Sequence, residues 1–353
     1  MPQIIPFFSS ASKQSRACAL QALIASFALH RRTQEDVFWL KENAELLNIL
    51  ECTGADLPGG ALEPLLPFYE GAARHISFFR QYYRFILSIC LDLEDLGMPG
   101  QTGSRIAEWV AQQGLAQAEL SDLQRAEARR LLARRGVLLR DEGLDDRLRS
   151  FISRPQTFAV PNKKAAYELT HIVFYLSEYG RRDPALPEAA EASLEFAGLV
   201  AFLDQNADLL AEICIALRFA GVLPPAEWEA WLDRQVSAYM LAKDEFYGLH
   251  DAYHEYFVVN WLMLLSGRKA FRQPVPLGGL HVSALQGGSI LRSLSEAVFD
   301  AGSARASWSA VKAQAETLLS DEENVVLAAA ERSCARFAGF FEGFARAGSA
   351  GAA

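Results

Sequence analysis

Two short stretches of this chain pair a carboxylate with an imidazole three residues apart. The first, "YELTHIVFYLSEYG" (167–180), carries Glu168 and His171. The second, "YGLHDAYHEYFVVNWLMLL" (247–265), carries Asp251 and His254, with His250 four residues before the latter. Residues three or four apart share a helix face, so each pair can aim both side chains at one atom. Imidazole and carboxylate together suit iron, manganese or zinc. Without a metal, the same pair is a general base oriented by its carboxylate. A third stretch, "FLDQNADLLAEICIALRF" (202–219), sets Asp204, Asp208 and Glu212 at i, i+4 and i+8. Like charges at that spacing repel by a few tenths of a kcal/mol per pair, so the column calls for arginine or a metal, although a solvated acidic stripe has the same pattern.

The neighbours of these residues sharpen the reading. Around the first pair, Ala165, Ala166, Leu169, Ile172, Val173 and Leu176 form an apolar stripe, while Lys164, Glu168, His171, Tyr175 and Glu178 form a separate row. The competing reading is a plain network in which His171 bonds Glu168 or faces water. In the second stretch His250 and His254 share the side of Tyr247, Phe257, Val258, Trp261 and Leu265, and buried polar groups there need partners. Gly248 can end one helix and open another, which would make His250 or Asp251 a capping residue. Carboxylate-bridged di-metal bundles use this vocabulary, a Glu from each of two helices and a Glu-x-x-His from each of two more. The expected metal ligands are therefore Glu168, His171, Asp208, Glu212, His250, Asp251 and His254, with His171, His254 and Tyr175 as catalytic residues. Glu45, Glu119 and Glu127 remain open as donors from a fourth helix.

Helices must position all of this. Apolar residues recur at three- and four-residue spacing, with no sustained alternation of the kind a strand shows. The pattern predicts an all-α, multi-helix bundle of 12–14 helices, mostly antiparallel neighbours, over 13–30, 34–51, 62–96 with a break, 104–114, 119–135, 144–153, 162–180, 187–221, 226–247, 250–266, 288–300, 305–319 and 321–346. Breakers separate them, among them "GADLPGG" (54–60), "GMPGQTG" (97–103), "RRDPALP" (181–187), "GVLPP" (221–225) and "RQPVPLGG" (272–279). No fixed-period repeat stands out. With no shift in composition near the middle, 1–347 reads as one helical domain, divisible into a layer over 1–155 and a bundle over 156–347. Residues 348–353 read as a frayed tail.

Composition narrows the function classes. A net charge of −9 argues against a nucleic-acid binder, since phosphate neutralisation needs a basic surface. The basic run "RRLLARRG" (129–136) reads as a solvated helix face beside acidic neighbours. The apolar segment 18–29 is too short to span a bilayer and lacks a cleavage site. Five scattered cysteines with no Cys-x-x-Cys spacing read as buried thiols in a reducing cytoplasm. Asn43, between Trp39 and Leu46/Leu47, reads as a buried amide bonded to a neighbouring helix. Asp92 in its apolar run reads as half of a structural ion pair, with Arg84 a candidate anchor for an anionic substrate. "LQGGSILRS" (285–293) offers an anion seat before a helix but lacks the Walker pattern.

The blocks "QEDVFWLKENAELLNILEC" (34–52), "RQYYRFILSICLDLEDL" (80–96) and "NKKAAYELTHIVFYLSEYGRRD" (162–183) resemble an uncharacterised bacterial family of all-helical proteins of unknown function. The likeness covers most of the chain. It implies a dedicated helical fold and carries over no catalytic residue.

The sequence thus points to a metal-dependent enzyme acting on a small molecule, and it requires His171 and His254 to meet. Iron would imply O₂-dependent oxidation in an apolar pocket lined by Tyr175, Phe257 and Trp261. Zinc would imply hydrolysis through a water whose pKa is lowered to about 7. One alternative is a metal-free helical protein that binds an apolar ligand or a protein partner, its 22 phenylalanines and six tryptophans serving as lining or packing. The other is a metal-free enzyme with His171 or His254 as base.

Overall fold

The computed structural model describes residues 10–243, 251–285, 287–300 and 307–346. Gly248, His250 and the tail 348–353 lie outside the described residues, as do the ends of two expected helices, 244–247 and 305–306. Among the described residues the chain is mostly helical. In order it forms α1 (Ser10–Ala25), α2 (Val37–Cys52), α3 (Leu66–Phe78), α4 (Tyr83–Asp95), α5 (Thr102–Gln112), α6 (Asp122–Ala133), α7 (Leu144–Ile152), α8 (Pro155–Phe158) and α9 (Lys163–Leu176). There follow α10 (Glu188–Leu203), α11 (Ala207–Phe219), α12 (Ala226–Ala238), β1 (Met240–Ala242), α13 (Tyr253–Leu265), β2 (His281–Ser283), α14 (Leu291–Asp300), α15 (Trp308–Leu318), α16 (Asp321–Ser333) and α17 (Phe337–Arg346).

These elements divide into two compact units. One comprises 1–118, 128–139 and 236–284; the other comprises 119–127, 140–235 and 285–353. In the first unit α2 packs on α4, and α13 and α3 pack on the same pair. Its core includes Leu46, Leu47 and Leu50 of α2 and Ile86, Leu87 and Ile89 of α4. Phe27, in a π-helical turn over 26–30, packs at a tilt against Phe257 of α13 with centroids 4.7 Å apart. The expected amide at Asn43 is there: its Nδ2 donates to the carbonyls of Phe27 at 3.1 Å and Trp39 at 2.9 Å. The two strands pair antiparallel, with Leu241 opposite Val282. Three residues per strand are too few to leave an alternation in the sequence.

The second unit is built around α10, buried on nearly every side from Ala190 to Leu203. A helix apolar all round belongs in a core, and α10 packs against α8, α9, α11, α16 and α17. At Gly198 the packing has no room for a side chain. A Cβ there would stand 2.3 Å from the fully buried Trp228 ring, whose Nε1–H donates to Ser333 Oγ at 3.0 Å. Alanine is the better helix former by about 0.8–1.0 kcal/mol, but overpacking against a pinned indole costs about 1–3 kcal/mol. We therefore expect Gly198→Ala to lower the urea midpoint. An unchanged or raised midpoint would show that the indole can move aside.

The structure differs from the expected helices at three joints. The predicted helix 226–247 ends at Ala238, and Met240–Ala242 pairs with β2 as β1. The predicted helix 187–221 is two helices, α10 and α11. Gln205 takes a left-handed conformation (φ 51°), and Asn206 starts α11 by accepting from Leu209 N–H at 3.1 Å. The predicted helix 321–346 likewise breaks at Cys334, which is extended (φ −141°, ψ 121°). The basic run is not a solvated face: Arg130 is buried, and the Arg134 guanidinium is 2.7 Å from the fully buried Asp92. Nor are all the thiols buried. Cys18 is exposed and Cys52 half-buried, while Cys90, Cys214 and Cys334 are buried. No described helix is long and apolar enough to cross a membrane.

Candidate metal centre

The first constellation belongs to the second unit, where α9 and α11 lie side by side. Asn162 starts α9 by accepting from Ala165 N–H at 3.1 Å. That start sets the helix so that Tyr167, Thr170 and His171 reach α11. Tyr167 Oη donates to Asp208 Oδ2 at 2.7 Å, and Thr170 Oγ1 donates to Glu212 Oε2 at 2.5 Å. Glu212 is buried, Asp208 half-buried, and one oxygen of each lies within 4.8 Å of the other. Two oxygens on one cation stand at most about twice a metal–oxygen distance apart, or about 4–5 Å, so the pair is within reach of a shared ion.

His171 adjoins this pair. Its Nδ1 is 2.7 Å from the Tyr167 carbonyl, 3.4 Å from Thr170 Oγ1 and 3.6 Å from Glu212 Oε2. A carbonyl oxygen only accepts, so Nδ1 carries a proton and the basic lone pair of the neutral ring sits on Nε2. That is the tautomer an imidazole takes when Nε2 is a ligand or a base. Tyr175, buried, packs edge-on against the ring at 6.1 Å.

Other expected members of the site are placed elsewhere. Glu168 is half-buried on α9, and among the described residues no hydrogen bond or ion pair joins it to His171, whose Nδ1 turns to Tyr167 and Glu212 instead. Asp204 is not in a column with Asp208 and Glu212. It follows the last residue of α10, on the far side of the turn, and pairs with Lys163 at 3.1 Å. Glu178 lies beyond the end of α9 with φ 49° and pairs with Arg182 at 3.3 Å.

Asp251 and His254 belong to the first unit and turn to separate partners. Asp251 Oδ1 accepts from the N–H of Tyr253 at 3.1 Å and of Val282 at 3.2 Å, holding the start of α13 to β2. Its Oδ2 is 2.6 Å from Arg31 and 3.9 Å from His281 Nδ1. His254 Nε2 is 3.8 Å from Glu45 Oε1. His171 belongs to the second unit and His254 to the first. Phe257 and Trp261 are core residues of α13.

Arg31 and Glu42 at the centre of this second network escaped the sequence reading. The guanidinium meets Glu42 with two parallel bonds of 3.0 Å, bonds the Leu280 carbonyl, and lies over the rings of Phe27 at 4.6 Å and Tyr253 at 5.2 Å. Both side chains are wholly buried. Burial by itself lowers the Arg31 pKa, but the bond and charge of Glu42, with the charge of Asp251, outweigh it and hold the value above the ordinary one. Glu42 falls in step with Trp39, Leu46 and Ile49, and a carboxylate in that apolar row was the available signal.

The fold and these networks define a mostly helical protein of two compact units, with a carboxylate–imidazole cluster in one and a buried arginine cluster in the other. The chain belongs to the family described as Domain of unknown function (DUF6902), whose model matches residues 1–347. It is an uncharacterised family, as the three sequence blocks implied. No curated protein and no solved structure matches the chain at a significant level.

Proposed function

We propose that the protein is a metal-dependent enzyme acting on a small molecule, with Asp208 and Glu212 as carboxylate ligands of a divalent cation. The observation that carries the reading is the approach of the two carboxylates to within 4.8 Å, beside an imidazole, with one carboxylate buried. This donor set suits iron, manganese or zinc. Tyr167 and Thr170 bond the carboxylates from outside and fix their orientation, as the outer shell of a metal site does. A cation there would polarise a substrate oxygen or bring the pKa of a water to about 7. His171, with Nδ1 3.6 Å from Glu212 and its ring held by the Tyr167 carbonyl and Tyr175, would take up a proton on Nε2. Iron would make the protein an oxidoreductase and zinc a hydrolase. Scattered cysteines support a cytoplasmic location, and the acidic balance supports a small-molecule partner over nucleic acid.

One observation favours a second reading, a metal-free helical protein binding an apolar ligand or a protein partner. Hydroxyls already bond both carboxylates, as they would in a purely structural network. Thermal unfolding with and without manganese separates the two. An ion that binds only the folded state stabilises by about 2.7 kcal/mol at a hundredfold excess over its Kd. We expect manganese to raise the Tm of the wild type and to lose that effect in Asp208→Asn and in Glu212→Gln. A shift that is absent, or equal in all three proteins, would sink the metal reading.

A further inference from the structure

The second unit holds a cavity of about 90 Å³ on another side of α9 and α11. Its walls are apolar: Phe158, Val200, Ala201, Leu209 and Leu291. Ala166 and Leu209 line it, while Tyr167 and Asp208, the next residues along the chain, belong to the carboxylate cluster. Successive helical residues point about 100° apart, so the two features are separate.

Among the described residues, the only charged ones lining the cavity are Lys163 and Asp204, paired at 3.1 Å. Lys163 is the first residue of α9, at the positive end of that helix dipole. Asp204 caps α10 at its negative end. Each charge therefore reinforces its helix end, and a positive pole and a negative pole stand together beside an apolar pocket. Lys163 is 65 % exposed and able to swing aside, whereas Asp204 is short and 19 % exposed. The poles are matched by a ligand that carries both charged groups on one carbon, its carboxylate toward Lys163 and its ammonium toward Asp204. The volume sets the tail. A dry cavity of about 150 Å³ takes the six carbons of benzene, so about 90 Å³ takes three or four carbons.

We propose that this cavity binds a small zwitterion with a branched apolar tail, the class of the aliphatic α-amino acids. Calorimetric titration with L-valine and L-leucine tests it, with isobutylamine and isovalerate as controls that each keep one charge. Losing one charged contact weakens binding about tenfold or more, so we expect the amino acids to bind and each control to bind at least that much more weakly. Asp204→Asn and Lys163→Gln, both at the rim, should each weaken the amino acid by a similar factor, and Ala201→Phe should fill the pocket and abolish binding. No binding at millimolar ligand, or binding equal to that of either control, would overturn the proposal. So would affinity unchanged in both rim variants. The titration is run with and without EDTA and should give one affinity. Loss of binding in EDTA would assign the amino acid to the cation site instead and also overturn the proposal.

Discussion

Arg31→Met is expected to destabilise the protein by about 3–5 kcal/mol, the cost of removing one member of a buried ion pair. The guanidinium is wholly buried between Glu42, also wholly buried, and Asp251, 6 % exposed. Without it two carboxylates are left in the core of the first unit; among the described residues Glu42 keeps Arg32 at 2.7 Å, while Asp251 keeps the His281 imidazole at 3.9 Å. The same change cuts the tie from the 26–30 turn to β2 and the start of α13, since Asp251 bonds both Tyr253 and Val282. Arg31→Lys should recover little, because an ammonium cannot make the two parallel bonds that Glu42 receives. Adding Glu42→Gln to Arg31→Met should recover part of the loss. Urea denaturation of the three variants checks this, and a loss under about 1 kcal/mol for Arg31→Met would contradict it.

The second large effect is expected at Arg134. Its guanidinium lies 2.7 Å from Asp92 and 2.7 Å from Asp95, and Ser88 donates to the other Asp92 oxygen at 3.1 Å. Asp92 is fully buried, and Arg134→Met removes its bonded cation and leaves the Ser88 hydroxyl and the charge of Arg130, at a cost of about 3–5 kcal/mol near neutral pH. The pH dependence has a definite sign. Burial raises the Asp92 pKa, and the charge of Arg134 offsets only part of that rise. A carboxyl whose folded pKa lies above its unfolded value, about 3.9, penalises the folded state as pH rises through the folded value and carries no penalty below the unfolded one. The variant loses the offset. Its deficit against the wild type should therefore be largest at neutral pH and shrink toward pH 4. A deficit that is flat or grows on acidification would contradict the assignment.

Much of the fold was legible because helices write their period into the sequence. The starts of α2, α9 and α16 follow capping residues, Asp36, Asn162 and Ser320, and glycine and proline mark many of the breaks. The joints that escaped notice lack those marks. Gln205 enters the left-handed region without being glycine, and Cys334 leaves the helix with no local breaker; tertiary packing decides both. Only three residues long on each strand, β1 and β2 fall below the length at which alternation shows.

The candidate site was legible by row and not by partner. Periodicity put His171 and Tyr175 on one face, and it put Asp208 and Glu212 on another. It could not show that Tyr167 and Thr170 would supply the hydroxyls, or that Asp251 would turn to Arg31 and away from His254. Those choices belong to contacts between segments far apart in the chain. The Glu-x-x-His spacing was a poor guide for the same reason: Glu168 and His171 share a helix, and yet His171 turns to the Tyr167 carbonyl and Glu212.

If Asp208 and Glu212 hold a divalent cation as proposed, elemental analysis of protein purified without a His tag and without chelator will find stoichiometric iron, manganese or zinc. That metal should be lost in Asp208→Asn and in Glu212→Gln while their circular dichroism stays that of the wild type. Folded wild-type protein with no metal, or metal retained in full by both variants, would contradict the proposal.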